Sequence, residues 1–226
     1  MSEEYFYHYT NKRNATAIFL SGKIKPSLAG LNRDAVHGEG VYLTTFDPGL
    51  GRQTVVNNNW DGLATARRKN DKMNSYFEIL MPSSKVRRAK EKRDIQVHTG
   101  ELLLADYKWS LKNWQGELLA TQHFMISSEG KAAEDHPESM GRYTLMKNMV
   151  TNGHHPVYKH DDEEGYIFMN ADGQWGVSDV AGFEECFLRQ NSDFSPSPCK
   201  TIPWEFWDDN FNGWEGDVSL RVYPCF

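Results

Sequence analysis

Gly38-Glu39-Gly40-Val41-Tyr42-Leu43-Thr44 is a turn bracketed by glycines that runs straight into a short apolar strand, and Asp47-Pro48-Gly49 breaks the chain again just beyond it. Upstream, Tyr5-Phe6-Tyr7-His8-Tyr9 reads as an aromatic strand ending at Thr10. Asn11 can then cap a helix that carries Ala15, Ile18 and Phe19 on one face and stops at Ser21-Gly22. Downstream, residues 60–69 read as a helix carrying Arg67, Arg68 and Lys69. Tyr76-Phe77-Glu78-Ile79-Leu80 is a strand closed by Pro82, and Asp94 to His98 and Glu101 to Trp109 are strands joined at Thr99-Gly100. Short strands with few helices predict an α+β or mostly β architecture rather than a wound parallel sheet.

The chain has 226 residues, room for one large domain or a medium domain with a small companion. Its content of 39% hydrophobic and 13% aromatic residues supplies a core and argues against disorder. The longest apolar runs, such as Leu102 to Leu104, fall far short of the roughly 18 residues that span a bilayer, so no membrane partner is expected. Met1-Ser2-Glu3-Glu4 lacks the basic start of a secretory signal. A cytoplasmic or nuclear location is expected, with secretion by another route left open.

The net charge of −6 conceals an asymmetry. Residues 1–114 hold 18 Lys and Arg against 12 Asp and Glu, whereas residues 115–226 hold 7 against 19. A basic half and an acidic half predict two units with different surfaces and argue against a chain that coats nucleic acid along its whole length. The polar stretch 126–139 has no apolar periodicity and reads as a linker or exposed loop between a domain of residues 1–125 and a small antiparallel β module of residues 140–226. In that module Pro156 to His160, Gly165 to Met169, Gln174 to Val177 and Glu185 to Leu188 are strand candidates. Its tryptophans (Trp175, Trp204, Trp207 and Trp214) form either a small core or an aromatic binding face. Cys186, Cys199 and Cys225 are odd in number and lack C-x-x-C spacing, which predicts thiols rather than a disulfide framework or a zinc site. His154-His155 and His160-Asp161-Asp162-Glu163-Glu164 lack regular ligand spacing, so no metal is expected.

Taken together, Tyr7-His8-Tyr9-Thr10, the segment Ile18 to Ser27 and the strand Gly38 to Thr44 followed by Pro48 resemble the H-Y-D/E group of ADP-ribosyltransferases. That family includes poly(ADP-ribose) polymerases, diphtheria-like toxins and bacterial polymorphic-toxin domains, and the likeness is greatest to the last. It covers residues of about 5–110 and implies a split β-sheet fold with NAD as substrate. The resemblance implies that His8 bonds the adenosine-side ribose, as a neutral imidazole with one donor and one acceptor can do. It further implies that the peptide of Tyr9, with Thr10 beside it, holds the nicotinamide amide, that Tyr42 stacks on the nicotinamide ring, and that Gly38 and Gly40 let the backbone approach the dinucleotide.

The family's acid opens a late strand, which selects Asp94, with Glu101 in reserve. Its charge would stabilise the cation that builds on the ribosyl carbon as nicotinamide leaves. Lys85 to Arg93 contains six basic residues in nine, and in related transferases the loop at this place helps select the acceptor. Arg87, Arg88, Lys90 and Lys92 there would favour an anionic acceptor such as nucleic acid, a protein acceptor remaining open, or would dock on the acidic half of the same chain. The implied activity is mono-ADP-ribosyl transfer. The rivals are an NAD glycohydrolase, an RNA 2′-phosphotransferase and a non-enzymatic binding protein. No phosphate loop, G-x-S-x-G elbow or helix-opening G-x-G-x-x-G supports a P-loop, serine-hydrolase or Rossmann reading.

Overall fold

A computed structural model describes residues 2–28, 37–60, 73–89, 92–152, 155–183, 185–191, 195–199 and 202–225. The chain divides into two units, Met1–Glu117 and Leu118–Phe226. The first runs β1 (Glu3–Thr10), α1 (Lys12–Ser21), β2 (Lys23–Ile24), β3 (Val41–Leu43), α2 (Arg52–Asn59), β4 (Ser75–Pro82), β5 (Val86–Arg88), β6 (Gln96–His98), β7 (Leu102–Leu103) and β8 (Lys108–Asn113). Asn11 caps α1 as its sequence predicts, its side-chain oxygen accepting from the Asn14 amide at 2.7 Å.

Two small antiparallel sheets result, beside a separate two-stranded pairing of β2 with β7. In one, β1, β4 and β8 lie side by side, with Tyr7 opposite Glu78 and His8 opposite Phe77. In the other the order is β3, β6, β5, with Val97 standing between Tyr42 and Arg87. On one side of the larger sheet α1 buries Ala15, and Phe19 and Phe77 meet the Trp109 ring at 6.5 and 5.8 Å. On the other, Val55 and Val56 of α2 pack with Tyr9, Met73 and Tyr76. Apolar surface on both faces of the sheet is therefore covered.

One sequence expectation changes here. Glu101 to Trp109 is not one strand: the Leu104 amide leaves the ladder to bond Gly22 O at 2.9 Å, and a 3-10 turn over Leu104–Asp106 separates β7 from β8. The helix expected over 60–69 lies almost wholly outside the described residues, and α2 stands just before it. Its sequence, RQTVVNNN, has no amphipathic stripe and ends in poor helix formers, so burial of Val55, Val56 and Asn58 rather than propensity holds it.

The second unit runs β9 (Leu118–Thr121), β10 (His123–Ser127), α3 (Lys131–Asp135), β11 (Gly141–Thr151), β12 (His155–His160), β13 (Tyr166–Met169), β14 (Trp175–Ser178), β15 (Leu188–Gln190), β16 (Trp204–Asp208), β17 (Gly213–Gly216) and β18 (Arg221–Cys225). Nine of its strands form one antiparallel sheet in which β17 to β10 follow in reverse chain order and β18 returns to pair with β10. Laid flat, nine strands would separate the edges by roughly 38 Å, whereas the link from Gly216 to Arg221 spans at most roughly 18 Å. The sheet must therefore curl into a half-barrel. Its alternating residues serve two cores: Ile167 and Met169 join Phe124, Tyr143, Tyr158, Trp175 and Trp204 in one, and Phe168 joins Val157 and Cys186 in the other. Trp175 and Trp204 are thus core residues, with their indole N–H groups donating to Ser195 O and Pro198 O.

The module is larger than the small one expected, and 126–139 is not a linker. Ile126, Ala132, His136 and Ser139 are buried, but polar neighbours interrupt them and no period betrays them. Glu185 to Leu188 is likewise mostly loop, the strand beginning only at Leu188. Among the described residues no helix is long and apolar enough to cross a membrane.

Asp217, in the link that closes the sheet, clasps these elements. It accepts from Ser128 Oγ at 2.6 Å, Ala132 N at 3.0 Å, Ser219 N at 2.8 Å and Ser219 Oγ at 2.6 Å. Burial alone would raise its pKa, but these donors bring it down to about 2. Asp217→Ala removes the acceptor for all of them and should cost the second unit about 1–3 kcal/mol, read as a lower urea midpoint. An unchanged midpoint would show that the clasp carries no stability.

Candidate active site

Thr44 is where the two small sheets of the first unit join. Its carbonyl accepts from Tyr7 N at 2.8 Å and its amide donates to Tyr7 O at 3.1 Å. Among the described residues this is the one pairing between β1 and the strand of Tyr42. Successive residues of an antiparallel strand turn their peptide groups to opposite edges, so residues two apart face the same edge. Tyr9, two residues past Tyr7, therefore presents its N–H and C=O toward the β3 side after the pairing has ended. The Tyr9 side chain is buried, its hydroxyl donating to Phe46 O at 2.9 Å, and Thr10 is buried opposite Ser75.

His8 sits at this parting of the sheets. Its Nδ1 is 3.1 Å from the carbonyl of Tyr42, and because a carbonyl only accepts, Nδ1 carries the proton and Nε2 is left as an acceptor. Burial lowers the imidazole pKa, with the Tyr42 carbonyl opposing it in part, so the ring is neutral at pH 7. The Tyr42 ring is half-buried against Ala89, Ile95 and Val97. Its hydroxyl donates to Gly38 O at 2.7 Å and accepts from His37 N at 2.9 Å.

Asp94 is held by hydrogen-bond donors of the neighbouring turn and strand. It is buried, and its Oδ2 accepts from Thr44 Oγ1 at 2.8 Å, Thr45 N at 2.5 Å and Thr45 Oγ1 at 3.0 Å, while Oδ1 accepts from Gln96 Nε2 at 2.9 Å. Asn58 grips the Asp94 backbone as well, with Oδ1 accepting from its N–H at 2.7 Å and Nδ2 donating to its carbonyl at 2.8 Å. This carboxylate is engaged in holding the Thr44-Thr45 turn rather than aimed outward. Burial would raise its pKa, but the Thr45 amide, the Thr44 hydroxyl, Gln96 and the Thr45 hydroxyl together hold it below the usual carboxylate value. Glu101 is exposed and paired with Lys23 at 3.1 Å, so it does not join this group.

The glycines have structural reasons of their own. Gly40 has φ of 149°, and a Cβ there would stand 2.5 Å from His98 O, so it is needed for β3 to lie against β6. A Cβ on Gly38 would meet Arg87 Nη2 at 3.1 Å. Arg87, Arg88 and Lys92 are exposed, Arg87 donating to His37 O at 2.6 Å, and Lys90 lies outside the described residues. In the second unit His160, the last residue of β12, braces the turn that follows: Nε2 donates to Met140 O at 2.8 Å, and Nδ1 accepts from the amides of Asp162 and Glu163. His154 lies outside the described residues, and among those described no cluster of His, Cys, Asp or Glu is suited to hold a metal.

Residues 6–105 match the family model described as HYD1 signature containing ADP-ribosyltransferase. They are a toxin-type ADP-ribosyltransferase domain. No curated protein and no solved structure matches the chain. The transferase match spans β1 to the turn after β7 and so contains His8, Tyr42, Asp94 and Glu101, while β8 and the whole second unit lie outside it.

Sequence reading of the transferase domain missed Thr44, Thr45, Asn58, Gln96 and His37 as parts of the site. A Thr-Thr pair after a strand and an Asn in a poor helix carry no local signal, because only folding brings them to Asp94. Asp94→Asn keeps the shape but turns an acceptor into an amide facing donors, and should cost about 2–4 kcal/mol at neutral pH. Since the folded pKa lies below the usual 3.8, the stabilisation is complete above that value and is lost as pH falls through the lowered pKa. Urea midpoints of wild type and variant should therefore converge on acidification. A gap independent of pH would mean that the charge is not what stabilises the site.

Proposed function

We propose that the first unit cleaves the nicotinamide–ribose bond of NAD and transfers ADP-ribose to an acceptor, as a mono-ADP-ribosyltransferase on a split-sheet fold. The observation that carries this reading is the meeting of His8 with the backbone of Tyr42 beside the Tyr7–Thr44 bridge between the sheets, with the Tyr9 peptide facing the parting. These groups fit NAD chemically. A neutral imidazole with Nε2 as acceptor suits a ribose hydroxyl, a half-buried tyrosine ring on a strand suits a flat pyridinium, and a peptide beyond the end of the strand pairing suits a carboxamide. As the glycosidic C–N bond breaks, its electron pair leaves with nicotinamide and positive charge builds on the ribosyl carbon, until the acceptor's nucleophile closes on that carbon and loses its proton. The buried negative charge of Asp94, behind the Thr44-Thr45 turn, lowers the energy of that cation through space.

Incubation of the full chain with labelled NAD tests this directly. Nicotinamide should appear, and His8→Ala and Tyr42→Ala should each slow its release on the order of 100-fold. Absence of nicotinamide release from the wild type would overturn the reading and favour a binding protein. Label found only in free ADP-ribose would make water the acceptor.

The exposed Arg88 and Lys92 support an anionic acceptor, nucleic acid being the commonest such polymer. Replacing both with Gln should lower the ratio of transfer to hydrolysis and reduce the slope of transfer against log salt by up to about 2, one for each phosphate no longer neutralised. An unaltered ratio and slope would direct the search to a neutral protein acceptor.

A further inference from the structure

Arg87 stands in the basic hairpin, where its charge alone would class it with the acceptor-binding residues. Its partners are different. Arg87 and Tyr42 both stand opposite Val97 in neighbouring strands, so all three side chains emerge from the same face of the sheet. The guanidinium reaches back over that face to the His37 carbonyl, with Nη2 to O at 2.6 Å. It lies so close to the turn that a Cβ on Gly38, whose φ is 92°, would be 3.1 Å from Nη2. The same turn anchors the tyrosine, the His37 amide donating to Tyr42 Oη and Tyr42 Oη donating to Gly38 O. Arg93 adds a second contact, its Nη2 lying 3.4 Å from His37 Nε2.

We propose that Arg87 is a positioning residue for Tyr42: by holding the His37-Gly38 turn it sets the orientation of the ring on which the nicotinamide end of NAD is bound. The assignment rests on the transferase reading. A tyrosine hydroxyl restrains its ring only as well as its partners are themselves restrained. A charge-assisted bond to a carbonyl is stronger than a neutral one, and the planar guanidinium of Arg loses less freedom on forming it than a Lys ammonium does. Orientation of the group that receives nicotinamide acts on substrate binding first, so the effect belongs in KM for NAD.

The test uses the full chain and NAD hydrolysis without added acceptor. Arg87→Ala and Tyr42→Phe should each raise KM for NAD on the order of 10-fold, and the double variant should be no worse than either single one, since both cut the same tether. Arg87→Lys should recover part of the loss. The His37 amide should exchange with solvent on the order of 10-fold faster in Arg87→Ala and in Tyr42→Phe, with the rest of β3 and β6 unchanged. Unaltered KM in Arg87→Ala with altered transfer to an acceptor would overturn the proposal, as would multiplicative effects in the double variant. Faster exchange throughout β3 and β6 would likewise overturn it in favour of a general structural role. Should the wild type release no nicotinamide, the transferase reading itself falls. The exchange of the His37 amide still decides whether Arg87 holds the turn, and unchanged exchange refutes it.

Discussion

A carboxylate taken out of water must be given donors, and the way Asp94 obtains them shapes the first unit. Its donors come from Thr44 and Thr45 at the end of β3 and from Gln96 at the start of β6, while Asn58 of α2 clamps its backbone. Thr44 is also the residue that pairs with Tyr7 of β1. One buried group thus gathers β1, β3, β6 and α2 at a single point, and the sheets are left to diverge on the far side of it. The parting where His8, Tyr9 and Tyr42 meet is a consequence of that convergence. An acid placed to organise a site and an acid placed to touch a substrate look alike in a sequence, but their hydrogen bonds separate them.

The second unit meets its stability requirement differently. Its long meander is built from local hairpins, which bring residues together at small separations in sequence and at low entropic cost. The non-local step is the return of β18 to β10, made across the Asp217 link. Alternation along β13 and its neighbours distributes large apolar residues to both faces, so this unit has cores of its own, independent of those in the transferase domain. Half-buried Trp207 and Trp214 meet edge to face, with the Arg189 guanidinium 4.0 Å from the Trp214 ring.

What the sequence by itself determined is whatever rests on neighbours in the chain. The aromatic strand at Tyr5 to Tyr9, the Asn11 cap, the apolar strand at Val41 and the hairpin strands from Pro156 to Val177 are local, with period and turn residues agreeing. The family signature is likewise carried by short motifs, which is why residues 6–105 were legible as a transferase from the segments around His8 and Tyr42. Tertiary structure decided the rest. It set the Arg87 guanidinium against His37, engaged Asp94 with Thr44 and Thr45, built α2 from a sequence with little helical preference, and packed Ile126 and Ala132 into the core of the second unit. The physical reason is common to all four. A polar or charged side chain in a sequence has many possible partners, and which of them it meets depends on burial that no local window contains.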